Sequence, residues 1–332
     1  MNLPLRPHGV LLRKILLLLI ACSLAAPAAE AAKAPRKGKS AISKALRAKP
    51  LVNPKRTPKR VIQRERITRI VAAPSAEASG HLDVKSNAAL VIEQGEGRTL
   101  FAKNIDSVQP IASITKLMTA MVVLDAGLEL QEGVAITDDD VDLLKHTRSR
   151  LKVGTVLERS ELLKLALMAS ENRAAAALGR AYPGGIHAFV AAMNRKAAHL
   201  GMARTHFVDS SGLSSENVST AHDLSKMVVA AHRYPLIQEY TTLTDYTVRT
   251  NDGRSLAFRN SNGLVKDLAW HIDVSKTGYI AEAGRCLVMQ ARIGAKSIII
   301  VLLDSWGKYT RIGDANRIKR WVESAHTRPT PG

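Results

Sequence analysis

His271-Ile272-Asp273-Val274-Ser275-Lys276-Thr277-Gly278 alternates apolar and polar residues before ending in a lysine, a hydroxyl and a glycine. The alternation predicts a β-strand with Lys276-Thr277-Gly278 at its end. Two further strands are expected at 285–293 and 297–303. Near the other end of the chain, 88–93 and 99–103 flank Gln94-Gly95-Glu96-Gly97, which predicts a hairpin closed by a glycine turn. Between these ends the periodicity becomes helical. A helix is expected at 113–124, introduced by Pro110 and Ser113, with Leu117, Met121 and Leu124 on one face. Further helices are expected at 160–168, 172–181, 186–199 and 221–232. Strand character returns after Tyr234, including 246–249, and 312–322 reads as a closing helix. Strands at both ends enclosing helices predict an α+β domain over residues 81–325. Its antiparallel sheet is drawn from the N- and C-terminal parts and flanked by helices, with a helical cluster on its far side.

Three short motifs fall in order along this domain: Ser113 to Lys116 as Ser-x-x-Lys, Ser170 to Asn172 as Ser-x-Asn, and Lys276-Thr277-Gly278. Each is weak alone. Ser-x-x-Lys recurs at Ser149 to Lys152 and at Ser305 to Lys308, and Ser-x-Asn recurs at Ser215 to Asn217 in a glycine- and serine-rich loop. The Lys-Thr-Gly triplet occurs once.

Their order describes an acyl-transfer site. A serine hydroxyl is a weak nucleophile until a base sits beside it. About 3.6 residues per helical turn puts Lys116 on the face of Ser113, one turn on. Ser113 at a helix start also meets free N–H groups and the positive end of the dipole. For Lys116 to act as the base it must be neutral part of the time, which burial and a neighbouring cation promote, and Lys276 is the candidate cation. Ser170 can relay a proton to a leaving amine while Asn172 holds a substrate backbone; Glu171 between them is expected to point away. Lys276 and Thr277 can bind a carboxylate or carbonyl, and Gly278 lets a strand approach another backbone. The N–H of Tyr279 could pair with that of Ser113 as an oxyanion hole.

The formal charge of +19 suggests a nucleic-acid partner until it is divided along the chain. Between Lys33 and Arg69 there are fourteen Lys or Arg against one acid, Glu65. This segment, rich in proline and without apolar periodicity, predicts an extended basic tail over 32–80. Before it, Arg6, Arg13 and Lys14 precede an apolar run from Ile15 to Ala26 and the small-x-small site Ala29-Glu30-Ala31, a secretory signal over 1–31. Leu19-Ile20-Ala21-Cys22 inside it also has the form of a lipoprotein cleavage box. Export to the periplasm removes nucleic acid as the expected partner. It leaves anionic envelope polymers or a phospholipid surface for residues 33–69, beside the plainer reading of a solvated linker. With Cys22 removed, Cys286 is the only thiol, expected to be buried and inert. No metal-ligand spacing is evident among the ten histidines. Residues 326–332 form a short tail.

The motifs and their surroundings carry a family resemblance. They include Ile111-Ala112-Ser113-Ile114-Thr115-Lys116-Leu117-Met118, Ser170-Glu171-Asn172-Arg173-Ala174-Ala175, Asp209-Ser210-Ser211-Gly212-Leu213, Ser219-Thr220-Ala221-His222-Asp223-Leu224 and Lys276-Thr277-Gly278-Tyr279. Over about residues 87–322 the chain resembles the serine D-Ala-D-Ala peptidases among low-molecular-mass penicillin-binding proteins, most closely the D-alanyl-D-alanine endopeptidase type. The resemblance implies a penicillin-binding, β-lactamase-like transpeptidase fold. It implies catalysis by Ser113, Lys116 and Ser170, substrate binding by Asn172, Lys276, Thr277, Gly278 and Tyr279, and no metal or organic cofactor. The implied partners are peptidoglycan stem peptides and cross-links, with β-lactams as covalent inhibitors.

Related carboxypeptidases carry a second β-rich domain and a terminal amphipathic helix. The residues after Val322 offer neither, which favours the endopeptidase over a carboxypeptidase. A class A β-lactamase would need a Glu-x-x-Leu-Asn segment, which this sequence lacks, so slow release of bound penicillin is expected. A wall-binding protein without catalysis is the alternative from another class, and the three intact motifs argue against it.

Overall fold

The computed structural model describes residues 82–326. The expected signal, the cleavage box at Cys22, the basic segment 33–69 and residues 327–332 lie outside the described residues.

Strands β1 (Ala88–Glu93) and β2 (Arg98–Lys103) form the expected hairpin, followed by the two-residue β3 (Gln109–Pro110). A 3₁₀ turn, Ala112–Ile114, leads into α1 (Thr115–Asp125); β4 (Gly133–Ala135) and β5 (Val156–Glu158) pair beyond it. Helices α2 (Arg159–Met168), α3 (Asn172–Arg180) and α4 (Gly185–His199) follow, then β6 (Val218–Ser219), α5 (Ala221–Ala231) and α6 (Pro235–Thr242). The hairpin β7 (Asp245–Arg249) and β8 (Ser255–Arg259) precedes the long strands β9 (His271–Ile280), β10 (Gly284–Ile293) and β11 (Lys296–Ser305), and α7 (Thr310–His326) closes the domain.

The main sheet runs β2-β1-β11-β10-β9 with every pair antiparallel. The fold is therefore α+β, its sheet joining the two ends of the chain across an intervening helical region, as the strand pattern predicts. Alternate residues of the sheet go to opposite sides. Leu90, Val288 and Val301 pack among the central helices, whereas Val91, Met289 and Ile300 meet Ala315, Ile318 and Val322 of α7. Both faces are covered, which is why β11 reads as the unbroken apolar run Ile298 to Leu303 rather than an alternation. Buried Asp314 of α7 accepts the amide of Ser86 at 2.7 Å and its hydroxyl at 2.5 Å, tying the last helix to the approach to β1.

Several expectations need correction. Helix α1 is not one-faced: every residue from Thr115 to Val123 is buried, because sheet and helices surround it. Ser113 is not in the α-helix proper but in the 3₁₀ turn before it. The Lys-Thr-Gly triplet lies inside β9 rather than at its end, since the strand continues to Ile280. After Tyr234 the chain first forms α6. Pro235 at its first turn starts a helix, while the β-favouring Tyr240-Thr241-Thr242 disguised it as strand. Cys286 is free and fully buried, and burial pushes its thiol up to about 11, so it is inert as expected.

Candidate active site

The serine turn is shaped by its neighbours. Ala112, immediately before Ser113, has φ +49°, a conformation few residues other than glycine adopt. Its carbonyl is fixed by Thr115 Oγ1 at 2.8 Å. Across from it, Gly212 (φ +79°) approaches so closely that a Cβ there would stand 2.0 Å from the Ala112 oxygen. The loop carrying Gly212 is organised by one carboxylate. Asp209 accepts the amides of Ser211 at 2.6 Å, Gly212 at 2.5 Å and Ser214 at 2.8 Å. Asn217, in the second Ser-x-Asn copy, is buried and structural: its amide accepts from Val208 N at 2.8 Å and donates to Thr115 Oγ1 at 3.0 Å. That loop is bolted to the start of α1.

Lys116 is fully buried. Its Nζ donates to Ser113 Oγ at 2.9 Å, to Asn172 Oδ1 at 2.8 Å and to the carbonyl of Ser211 at 2.6 Å. Burial lowers its pKa to about 7, against the opposing pull of Asp209 and Glu171. The amine can therefore accept a proton near neutral pH. Burial is the leading cause. Lys276 is itself buried and held well below the ordinary lysine range, first by desolvation, then by repulsion from Lys116 and Arg311.

Ser170 sits between α2 and α3 with φ +60°. This turn aims its hydroxyl at Lys276 Nζ, 2.8 Å away. Glu171 caps α3, accepting from Arg173 N at 3.2 Å. Asn172 uses Oδ1 for Lys116 and donates from Nδ2 to Thr147 Oγ1 at 3.0 Å, so both ends of its amide are engaged. Thr277 Oγ1 donates to Ser261 Oγ at 2.7 Å. A Cβ on Gly278 would lie 2.9 Å from the Ile111 oxygen and 3.2 Å from Ser113 N, so only glycine lets β9 pass this close to the serine turn. Tyr279 follows on the same strand, 57% exposed, with the Arg285 guanidinium 4.5 Å from its ring centre.

All eight candidate residues thus occur on three neighbouring stretches: the 3₁₀ turn with the first turn of α1, the α2–α3 turn with the start of α3, and β9. Sequence reasoning missed the groups that brace them. Ser211 offers only a backbone carbonyl, and Thr147 and Ser261 are single hydroxyls in loops. Arg311, at the start of α7, is a further omission. Its Nε and Nη1 are buried without a hydrogen-bond partner, and its charge bears on Lys276. Nothing but an arginine in a helix marks it in the sequence. Among the described residues no group of three or more His, Cys, Asp or Glu is placed to hold a metal ion.

A family model described as D-alanyl-D-alanine carboxypeptidase matches residues 72–307. A Pseudomonas aeruginosa protein named D-alanyl-D-alanine endopeptidase is 45% identical over 267 residues, covering 80% of this chain and 86% of the relative. An Escherichia coli protein of the same name is 43% identical over 263 residues, covering 79% and 85%. The crystal structure of the Streptomyces K15 DD-transpeptidase superposes with a TM-score of 0.68 at 29% identity, covering 73% of this chain and 98% of that one.

Proposed function

The chain belongs to the D-alanyl-D-alanine carboxypeptidase family of serine peptidases, and on that premise we propose that it cuts D-alanyl peptide bonds in peptidoglycan cross-links through an acyl-enzyme on Ser113. The observation that carries this reading is the hydrogen bond from a fully buried Lys116, with its pKa near 7, to the Ser113 hydroxyl at 2.9 Å. Neutral Lys116 takes the hydroxyl proton as Ser113 Oγ attacks the carbonyl carbon of the D-alanyl bond. The N–H groups of Ser113 and Tyr279 receive the developing oxyanion. The leaving amine takes its proton by way of Ser170, whose hydroxyl accepts from Lys276 Nζ at 2.8 Å. Water then attacks the ester with Lys116 again as base, freeing Ser113.

Lys276, Thr277 and Arg311 form a cationic, donor-rich end for an anionic or carbonyl group of the substrate. Binding an anion there raises the pKa of Lys276, offsetting the burial and the like charges that lower it. β-Lactams, which mimic the acyl donor, acylate the same serine.

Cutting of cross-links, rather than removal of a terminal D-alanine, is supported by the names of the two relatives above 40% identity. Such a substrate lies outside the cell membrane, in keeping with the export signal and a periplasmic location. The basic segment 33–69 would add attraction to anionic envelope polymers.

Incubation with purified cross-linked muropeptide dimers tests the reading: monomers are expected as the product. Release of free D-alanine with dimers left intact would make the protein a carboxypeptidase. No change at all would leave a wall-binding protein.

A further inference from the structure

Beside Ser170 and Asn172 opens a cleft of about 850 Å³ whose other walls carry Arg148, Arg150 and Arg259. None of the three takes part in the chemistry above. One carboxylate, Glu171, stands on the same wall and caps α3, accepting from Arg173 N. Three arginines against that one acid leave the cleft net positive. Arg150 is held in place: its guanidinium stands 4.1 Å from the centre of the Phe258 ring and donates to the carbonyl of Ala257. Arg148 and Arg259 are exposed and free to turn their planar donors into the cleft. Like charges gathered around one concave space repel each other when it is empty, and an anion relieves that repulsion.

We propose, resting on the reading of the site given above, that this cleft is a subsite for a carboxylate-bearing arm of the substrate peptide. Its position selects the ligand. The cleft shares Ser170 and Asn172 with the site, and Lys116 bonds both Asn172 and Ser113, so a peptide whose scissile bond lies at Ser113 needs only a few extended residues, about 3.3–3.6 Å each, to enter it. The anionic groups such a peptide brings are carboxylates, and a guanidinium meets a carboxylate with two parallel hydrogen bonds. The arm is held by charge on exposed arginines, so the preference should weaken with salt. These arginines are positioning residues: they select which peptide is presented and leave the bond chemistry to Ser113 and Lys116.

The test uses two synthetic cross-linked peptides, each joined through a D-alanyl bond to the side-chain amine of a second peptide, that differ only in having Glu or Gln a few residues upstream of that bond. For the wild-type chain, kcat/KM for the Glu peptide is expected to exceed that for the Gln peptide by about tenfold, falling as salt is raised. In an Arg148→Gln, Arg259→Gln double variant the ratio is expected to approach one. A wild-type ratio near one, or a double variant that keeps the preference, overturns the subsite. Binding of the same peptides to a Ser113→Ala protein, read by calorimetry, separates this from the catalytic reading. Preferential binding of the Glu peptide without cleavage of either peptide by the wild type would sink the peptidase and leave the subsite. Cleavage of both at equal rates, with equal binding, would do the reverse.

Discussion

Replacing Lys116 by methionine is expected to reduce acylation of the protein by about 10²–10⁴-fold, the usual contribution of a positioned general base. The loss follows from geometry: Nζ stands 2.9 Å from Ser113 Oγ, and among the described residues no other side-chain base hydrogen-bonds that hydroxyl. Methionine fills a similar volume, but it leaves Asn172 Oδ1 and the Ser211 carbonyl without their donor, so the variant will also be less stable. The pH profile separates the two effects. Only the neutral amine accepts a proton, and Lys116 is lowered to about 7. The wild-type acylation rate should therefore rise about tenfold per pH unit below that value and level off above it. The variant should lose this rise while remaining folded by circular dichroism. A variant that keeps both the rate and the profile would remove Lys116 from the mechanism.

Gly212→Ala should be nearly as damaging, although Gly212 carries no functional group. Its φ of +79° already strains any side chain, and the added Cβ would meet Ala112 O at 2.0 Å, Ala112 C at 2.4 Å and Thr115 Oγ1 at 2.8 Å. Two of these are backbone atoms of the residue before Ser113, and they cannot swing aside. Strain and overpacking together are expected to cost about 2–6 kcal/mol. Gly253 supplies the control. It has the same φ, +79°, with nothing within 4 Å of the Cβ position. Gly253→Ala should lose only the strain, about 1–3 kcal/mol. Thermal unfolding of both variants, with penicillin labelling of each, reads the difference. Equal losses would mean that the close approach of Gly212 to the serine turn has no energetic consequence.

The sequence carried the strands of the main sheet because their apolar runs are long and their turns hold glycine or sit between clear boundaries. Most of the helical cluster was legible for the same reason. What escaped had weak local signals. Helix α6 is short, begins at Pro235 and ends in threonines, so its composition points to strand while contacts with α2 and β9 decide for helix. Strand β8 pairs with β7 in a hairpin whose partner alone had shown alternation. The boundary of β9 shifted because Thr277-Gly278 resembles a strand end, yet pairing with β10 carries it through to Ile280.

The candidate site divides similarly. Ser113, Lys116, Ser170, Asn172 and Lys276 could be named because nucleophile, base and cation are distinctive residue types at fixed spacings. The groups that tune them could not. Asp209 and Asn217 look like ordinary loop residues, and their work is to hold a backbone against Ala112. The unusual φ angles of Ala112 and Ser170 are invisible in residue identity, since neither is glycine. Burial of Lys116, the cause of its lowered pKa, depends on helices that come together only in the fold.

The most direct measurement is peptide mapping of the protein after incubation with a penicillin. The mass of one intact penicilloyl group is expected on the peptide that contains Ser113, persisting for many turnovers' worth of time, and absent from a Ser113→Ala protein of unchanged fold. An adduct on another residue, or one that still forms in the Ser113→Ala protein, would contradict the account.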